Sequence, residues 1–334
     1  MGRLTRQETE AVRKALRRSH QDLVTFAETV PPAERTRRSY CTEWTVSQVY
    51  SHLGAGAEIG LANLRAALTS TEPADSRKIW QRWDSLAPDQ MISSFATADA
   101  RYLDALDALD LDDLGDVMVP IDVPIRLPVD LTMVLRLAEH ALHSWDVHVA
   151  FDAGAEVDLR AAELLVDLYP PEISSMVATR LVAGRAGGAC LLIEIDSTPR
   201  TLVMTFADTV TLDSVEPGNE PPCTGRLRIP APGAWARLLT GRLDDDHLPS
   251  GITSTGTPTL QDLRVLLQAD PFAGTAHHPR PEAADAQGTG GHSVDHERPG
   301  RPTTRHAAPT DRLRLEPPLR PALSPARSHE RDTG

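Results

Sequence analysis

Between Thr5 and about Phe151 the chain carries four runs of apolar residues at helical spacing, each bracketed by a cap or a proline. That punctuation restricts the fold more than any other feature. Thr5 with Glu8 forms a capping-box signature, and Val12, Leu16, Leu23, Ala27 and Val30 then recur on one face until Pro31 and Pro32. Thr45 with Gln48 opens a second helix through Val46, Val49, Leu53 and Ala57 toward Leu68, with His52 on or beside its apolar stripe. A third begins near Pro88 and turns Met91, Phe95, Ala98, Tyr102, Leu106 and Leu109 inward. Val117 to Pro124 holds too many prolines for a helix and reads as a long connection. A fourth helix is expected after Asp130, as N-cap, to about Phe151. Four helices with one long crossover define a four-helix bundle.

Beyond the bundle the period changes from helical to alternating. Cys190 to Ile195 and Thr201 to Phe206 read as strands around a turn, with further strand signals at Val210 to Val215 and Arg226 to Ile229. Helices are expected over Leu159 to Leu168, after Pro232 to Leu239, and from Thr259 to Leu267. The fold class is therefore α+β and multidomain: a bundle over 1–154, a small α+β domain over 155–272, and a tail over 273–334. The tail is rich in Pro, Gly, Ala, Arg and His, without aliphatic periodicity, and such a composition reads as disordered. His277 and His278 lie in it without the spacing or carboxylates of a metal site, so a solvated tail is the simpler reading.

A formal charge of −13 argues against a nucleic-acid partner, since phosphate contacts need clustered cations. No apolar run is long enough to cross a bilayer and the first residues lack a signal-peptide core, so no membrane partner and a cytoplasmic location are expected. Cys41, Cys190 and Cys223 are too few and scattered for a disulfide framework or a Cys-x-x-Cys zinc site. Reduced thiols are expected, and none is a strong nucleophile candidate.

The candidate site lies on the fourth helix. Taking Glu139 as zero, His143 falls at about +40° and Asp146 at about −20°, whereas His140 and His148 fall at about 100° and 180°. Glu139, His143 and Asp146 share a face flanked by Leu135 and Leu142, which points it toward the bundle. Two imidazoles and one carboxylate with an open position are a common way to hold catalytic zinc; a third donor from another helix would complete the set, and His52 on a separate amphipathic helix is a candidate for it. The spacing alone equally allows a hydrogen-bonded core trio, or a salt bridge of Glu139 with Arg136.

The stretch Trp44-Thr45-Val46-Ser47-Gln48-Val49-Tyr50-Ser51-His52-Leu53 resembles the first signature of the mycothiol-dependent maleylpyruvate isomerase family, within the DinB-like bundles. Arg136 to Asp146, with Glu139, His143 and Asp146 in register, looks like that family's second signature. Gly233 to Arg242, followed by Ser254-Thr255-Gly256 and Leu260, is similar to its small sterol-carrier-like C-terminal domain. The resemblance covers roughly residues 1 to 272. It implies that His52, Glu139 and His143 bind zinc or another divalent metal, with Asp146 supporting an imidazole or helix packing. It also implies a catalytic role for Arg242, as a bidentate clamp on a dicarboxylate substrate; a residue that only complements its helix dipole is the alternative.

The same resemblance implies mycothiol as thiol cosubstrate and a small-molecule electrophile or dicarboxylate as substrate. The enzyme would be an isomerase, in which the thiolate adds to a cis double bond and leaves after rotation, or an S-transferase, in which it stays attached. A non-catalytic metal-containing small-molecule binding protein is the competing class; a fourth protein ligand such as Asp146 would favour it, and an open coordination position the enzyme.

Overall fold

The computed structural model describes residues 4–268 apart from 42, 111–115, 122–125, 169–187, 197, 199–200, 208–209 and 217. The tail over 273–334 lies outside the described residues. Helix α1 (Arg6–Thr29) opens with the Thr5–Glu8 capping box, and α2 (Val46–Thr69) with that of Thr45 and Gln48. After them come α3 (Ser76–Asp84), α4 (Pro88–Asp107), a two-stranded ribbon of β1 (Met118–Pro120) and β2 (Arg126–Pro128), and α5 (Val129–His148). The bundle is α1, α2, α4 and α5, as the periodicity predicts. Neither α3 nor the ribbon was legible: α3 is only nine residues long, and the first strand of the ribbon lies within the expected connection and the second just after it.

The start of α5 is a correction. Asp130 is not the N-cap but lies inside the first turn, 2% exposed, because Pro128 already precedes the helix. The Asp130 carboxylate accepts from the backbone N–H of Leu4, which ties the first described residue to α5.

Two apolar clusters fill the bundle. One joins Val12, Leu16, Leu61, Leu64, Leu106, Met133, Leu137 and Trp145; the other joins Leu23, Val49, Tyr50, Leu53, Phe95 and Val147 near the site end. Burying a side chain of this size stabilises by about 1.5–3 kcal/mol, so these faces hold the helices in register. Helix α6 (Leu159–Leu168) buries Ala161, Ala162, Leu165 and Leu168 in the first of these clusters.

The C-terminal sheet contains β3 (Ala189–Ile195), β4 (Thr201–Phe206), β5 (Val210–Val215), β6 (Gly225–Ile229) and β7 (Thr253–Gly256), in the order β5-β4-β3-β6-β7. Among the described residues only β3 and β6 run parallel. Leu191, Ile193, Met204, Leu227 and Ile229 pack with Trp235, Leu238 and Leu263 from α7 (Pro232–Leu239) and α8 (Leu260–Gln268). The α+β class thus holds. Among the described residues no helix is long and apolar enough to cross a membrane.

The expectation of three reduced cysteines is corrected by a disulfide between Cys190 and Cys223. They are 33 residues apart, but the parallel pairing sets Leu191 against Gly225, and the Thr224 N–H donates to the Cys190 carbonyl. Their Cα atoms come to 4.6 Å, a proximity that sequence spacing cannot reveal.

Candidate functional site

His52 from α2 and the Glu139–His143 pair from α5 meet at one end of the bundle. The His52 Nε2 lies 3.0 Å from Glu139 Oε2, and His143 Nε2 lies 3.5 Å from the same oxygen. One donor atom from each of the three residues falls within 4.8 Å of the others. The side chains of Glu139, His52 and His143 are 39%, 23% and 8% exposed, so the cluster forms the floor of a recess open to solvent. Glu139 is therefore less enclosed than its helix face suggested. Burial pushes the Glu139 carboxyl up, but hydrogen bonds with His143 and His52 outweigh it and hold the group well below the usual carboxylate range.

Behind His143 stands a second set of contacts. Asp146, fully buried, places its Oδ2 2.8 Å from His143 Nδ1. Arg242, just beyond α7, donates to both oxygens of Asp146, from Nε at 2.8 Å and Nη2 at 2.9 Å. Gly241 precedes it with a φ of 70°, and this left-handed turn after α7 brings Arg242 back toward the bundle. Burial alone would lower the His143 imidazole; its hydrogen bonds to Asp146, Cys41 and Glu139 instead raise it well above the ordinary value. Burial opposes the charge on Asp146, and the Arg242 guanidinium more than offsets this, so its carboxyl stays far below the usual range.

The residues singled out from sequence are thus brought together in two layers. His52, Glu139 and His143 face the recess. Asp146 belongs to a separate cluster with Cys41 and His143, on the Nδ1 side of the imidazole. The alternative pairing of Glu139 with Arg136 does not form, because Arg136 Nη2 donates to Asp99 Oδ1 at 2.6 Å and to the Leu53 carbonyl at 2.8 Å. Arg242 reaches the site, but with its guanidinium engaged by Asp146.

Three neighbours were missed. The Cys41 thiol donates to Asp146 Oδ2 at 3.1 Å, and the Trp44 N–H donates to the Cys41 carbonyl. Trp44 and Trp80 hold their rings 4.8 Å and 5.3 Å from that of His52, and Trp80 is nearly parallel to it at 18°. Trp44 opens the signature that carries His52, yet its ring contact was not read from it, and no local spacing relates Cys41 or Trp80 to His52 or His143. Trp80 had one available clue: with Trp83 it forms an i,i+3 aromatic pair on a mostly polar segment.

An α+β chain whose N-terminal bundle gathers two histidines and a glutamate at one open end is the class that fold and site define. Residues 16–148 match the family model described as the mycothiol maleylpyruvate isomerase N-terminal domain, so the bundle is similar to that domain. Among solved structures it is similar to the mycothiol-dependent maleylpyruvate isomerase, at 18% identity and a TM-score of 0.52, over 74% of this chain and 92% of the other. A histidine-to-alanine mutant of that isomerase matches with the same values. At this identity the likeness establishes the fold. No curated protein matches the chain.

Proposed function

We propose that the chain is a thiol-dependent metalloenzyme in which His52, Glu139 and His143 hold one divalent ion, zinc in the first instance. Mycothiol would be the cosubstrate and a small electrophile the substrate. The observation that carries the reading is the recess itself. Two imidazole nitrogens and a carboxylate oxygen from two helices converge within 4.8 Å while Glu139 stays 39% exposed. This donor set fits zinc, and the solvent-facing side leaves a position for an exogenous ligand. When bound, the ion would favour the thiolate form of an added thiol at neutral pH.

The chain's own residues then have distinct tasks. Asp146 accepts from His143 Nδ1–H, which selects the tautomer whose Nε2 lone pair faces the recess. Arg242 neutralises Asp146 through two parallel hydrogen bonds and fixes its plane. On this geometry Arg242 is a positioning residue, acting through Asp146 and His143, and not a clamp on a substrate carboxylate. Asp146 is directed at Nδ1 and at Arg242, away from the set formed by His52 and Glu139, which argues against a closed fourth ligand. In this reading residues 1–154 carry the centre, residues 155–272 supply Arg242, and the protein works in the cytoplasm beside its thiol. Cis–trans isomerisation and S-transfer both need the same activated thiol, and the substrate separates them.

Elemental analysis combined with turnover of maleylpyruvate and of a generic electrophile, each with and without mycothiol, tests this. The expected result is about one zinc per chain, lost in His52→Ala, and turnover only when thiol is added. Equal metal in wild type and His52→Ala overturns the ligand set. Stoichiometric zinc without turnover of either compound favours a binding protein.

A further inference from the structure

Resting on the proposed thiol chemistry, one feature of the recess bears on what enters it. Trp44 and Trp80 stand against His52 from different elements, Trp44 just before α2 and Trp80 on α3. Trp44 also comes within 5.8 Å of the His143 ring. Both tryptophans are only partly buried, so each keeps indole surface in contact with solvent. Large apolar rings left half-open beside a polar cluster are the usual lining of a small-molecule pocket, where apolar walls bind the body of a ligand and a few polar groups orient it.

The wall is built, not incidental. Helix α3 is anchored by Trp83, 2% exposed, whose indole covers Gly54 so closely that a Cβ there would overlap the ring. The Trp83 Nε1–H donates to Glu58 Oε2 at 3.1 Å, and Arg82 pairs with the other oxygen of the same carboxylate. Gly54 and Glu58, one turn apart on the same helix as His52, thus fix the helix that lays Trp80 over that imidazole. Trp80 is held in place three residues from its anchor.

Charge points the same way. A dicarboxylate substrate calls for a cation besides the metal, and the guanidinium that reaches this end of the bundle is already neutralised by Asp146. Among the described residues, the groups that meet at His52 are the Glu139 carboxylate, the His143 imidazole and the Trp44 and Trp80 indoles.

We propose that Trp44 and Trp80 form the walls of a substrate subsite beside the His52–Glu139–His143 centre, and that the electrophile taken there has a planar, apolar or aromatic body. Ring stacking of this kind is worth a few-fold to about tenfold in affinity.

The test compares 1-chloro-2,4-dinitrobenzene with maleylpyruvate on the zinc-loaded protein with mycothiol. In Trp80→Ala the KM for the aromatic compound should rise about fivefold to tenfold, with a smaller fall in kcat, while the KM for maleylpyruvate moves much less. Trp80→Phe should recover most of the loss, and zinc content should stay at the wild-type level in both. A KM that rises equally for both compounds, or for neither, overturns the subsite. Should Trp80→Ala fail to fold, Trp80→Phe against Trp80→Leu makes the same comparison. Calorimetric titration with the S-(2,4-dinitrophenyl) conjugate of mycothiol separates this proposal from the chemistry it rests on. Binding weakened by Trp80→Ala in a protein that turns over neither compound overturns the enzyme reading and supports the subsite. Turnover with conjugate binding indifferent to Trp80 overturns the subsite alone, and a conjugate that does not bind at all overturns it too.

Discussion

Helix α5 carries two clusters made of the same parts on different faces, and only one of them is open. Glu139 and His143 face the recess with His52. Arg136 and His140, at the same four-residue spacing, turn instead into the bundle and meet Asp99 from α4, which also lies 2.7 Å from His20 Nδ1 on α1. Asp99 and His140 are fully buried, and Arg136 is bound to the Leu53 carbonyl of α2, so this inner cluster ties all four bundle helices together. The difference lies in where the arginine stands. In the inner cluster it pairs with the central carboxylate directly and completes its charge balance. In the outer one the arginine sits one step back, on Asp146, and leaves Glu139 facing solvent with two imidazoles. A carboxylate that meets imidazoles where helices pack therefore makes a structural tie or a ligand site depending on whether a cation closes the set.

The comparison breaks first on stability. Asp99→Leu leaves Arg136 buried without its partner and should cost about 3–5 kcal/mol in urea unfolding. Glu139→Gln in the metal-free protein should cost less than about 1 kcal/mol, because the Glu139 side chain is itself 39% exposed and its pairing is screened by water. Comparable losses would show that the outer cluster, too, is a structural tie.

Metal affinity sharpens it from the other side. His143→Ala should weaken zinc binding more than the 10–100-fold typical of losing a supporting contact, as read by chelator competition. His140→Ala, which changes the inner cluster, should leave affinity near wild type after correction for the folded fraction. Asp146→Asn and Arg242→Lys should fall within that 10–100-fold range, since neither preserves the paired carboxylate and fork. An Arg242→Lys protein with normal zinc affinity and a selective loss of turnover on a dicarboxylate would restore the clamp role.

The gentlest contrast is in pH. Burial, which outweighs its contact with Asp99, lowers the His140 imidazole, so the folded state favours its neutral form. That contribution is present above the ordinary histidine range, about 6.5, and is lost as pH falls through it. In the metal-free protein His143 is shifted the opposite way, held charged by Asp146, Cys41 and Glu139 against the effect of burial. Its contribution is present below that range and is lost as pH rises through its elevated value. Imidazole NMR titrations should show His140 neutral where His143 is still charged. Zinc should abolish the His143 shift, because a ligating imidazole is neutral. Coincident titrations would remove the distinction between the clusters.

What the sequence determined by itself was everything that helical geometry settles over a few residues. Capping boxes at Thr5 and Thr45 and the apolar stripes set three of the four bundle helices almost to the residue; the fourth was misjudged only where Pro128 displaced Asp130 from the cap. The common face of Glu139, His143 and Asp146, and the exclusion of His140 and His148 from it, followed from 3.6 residues per turn. Proximity of His52 to Glu139, 87 residues away, came from signature resemblance and not from spacing. Only the tertiary structure decided that Asp99 claims Arg136, that Arg242 reaches Asp146 across 96 positions, that Cys190 meets Cys223, and that Trp80 lies on His52. These pairings depend on how packed faces bring distant segments together, and a local period carries no information about which buried carboxylate a given arginine will find.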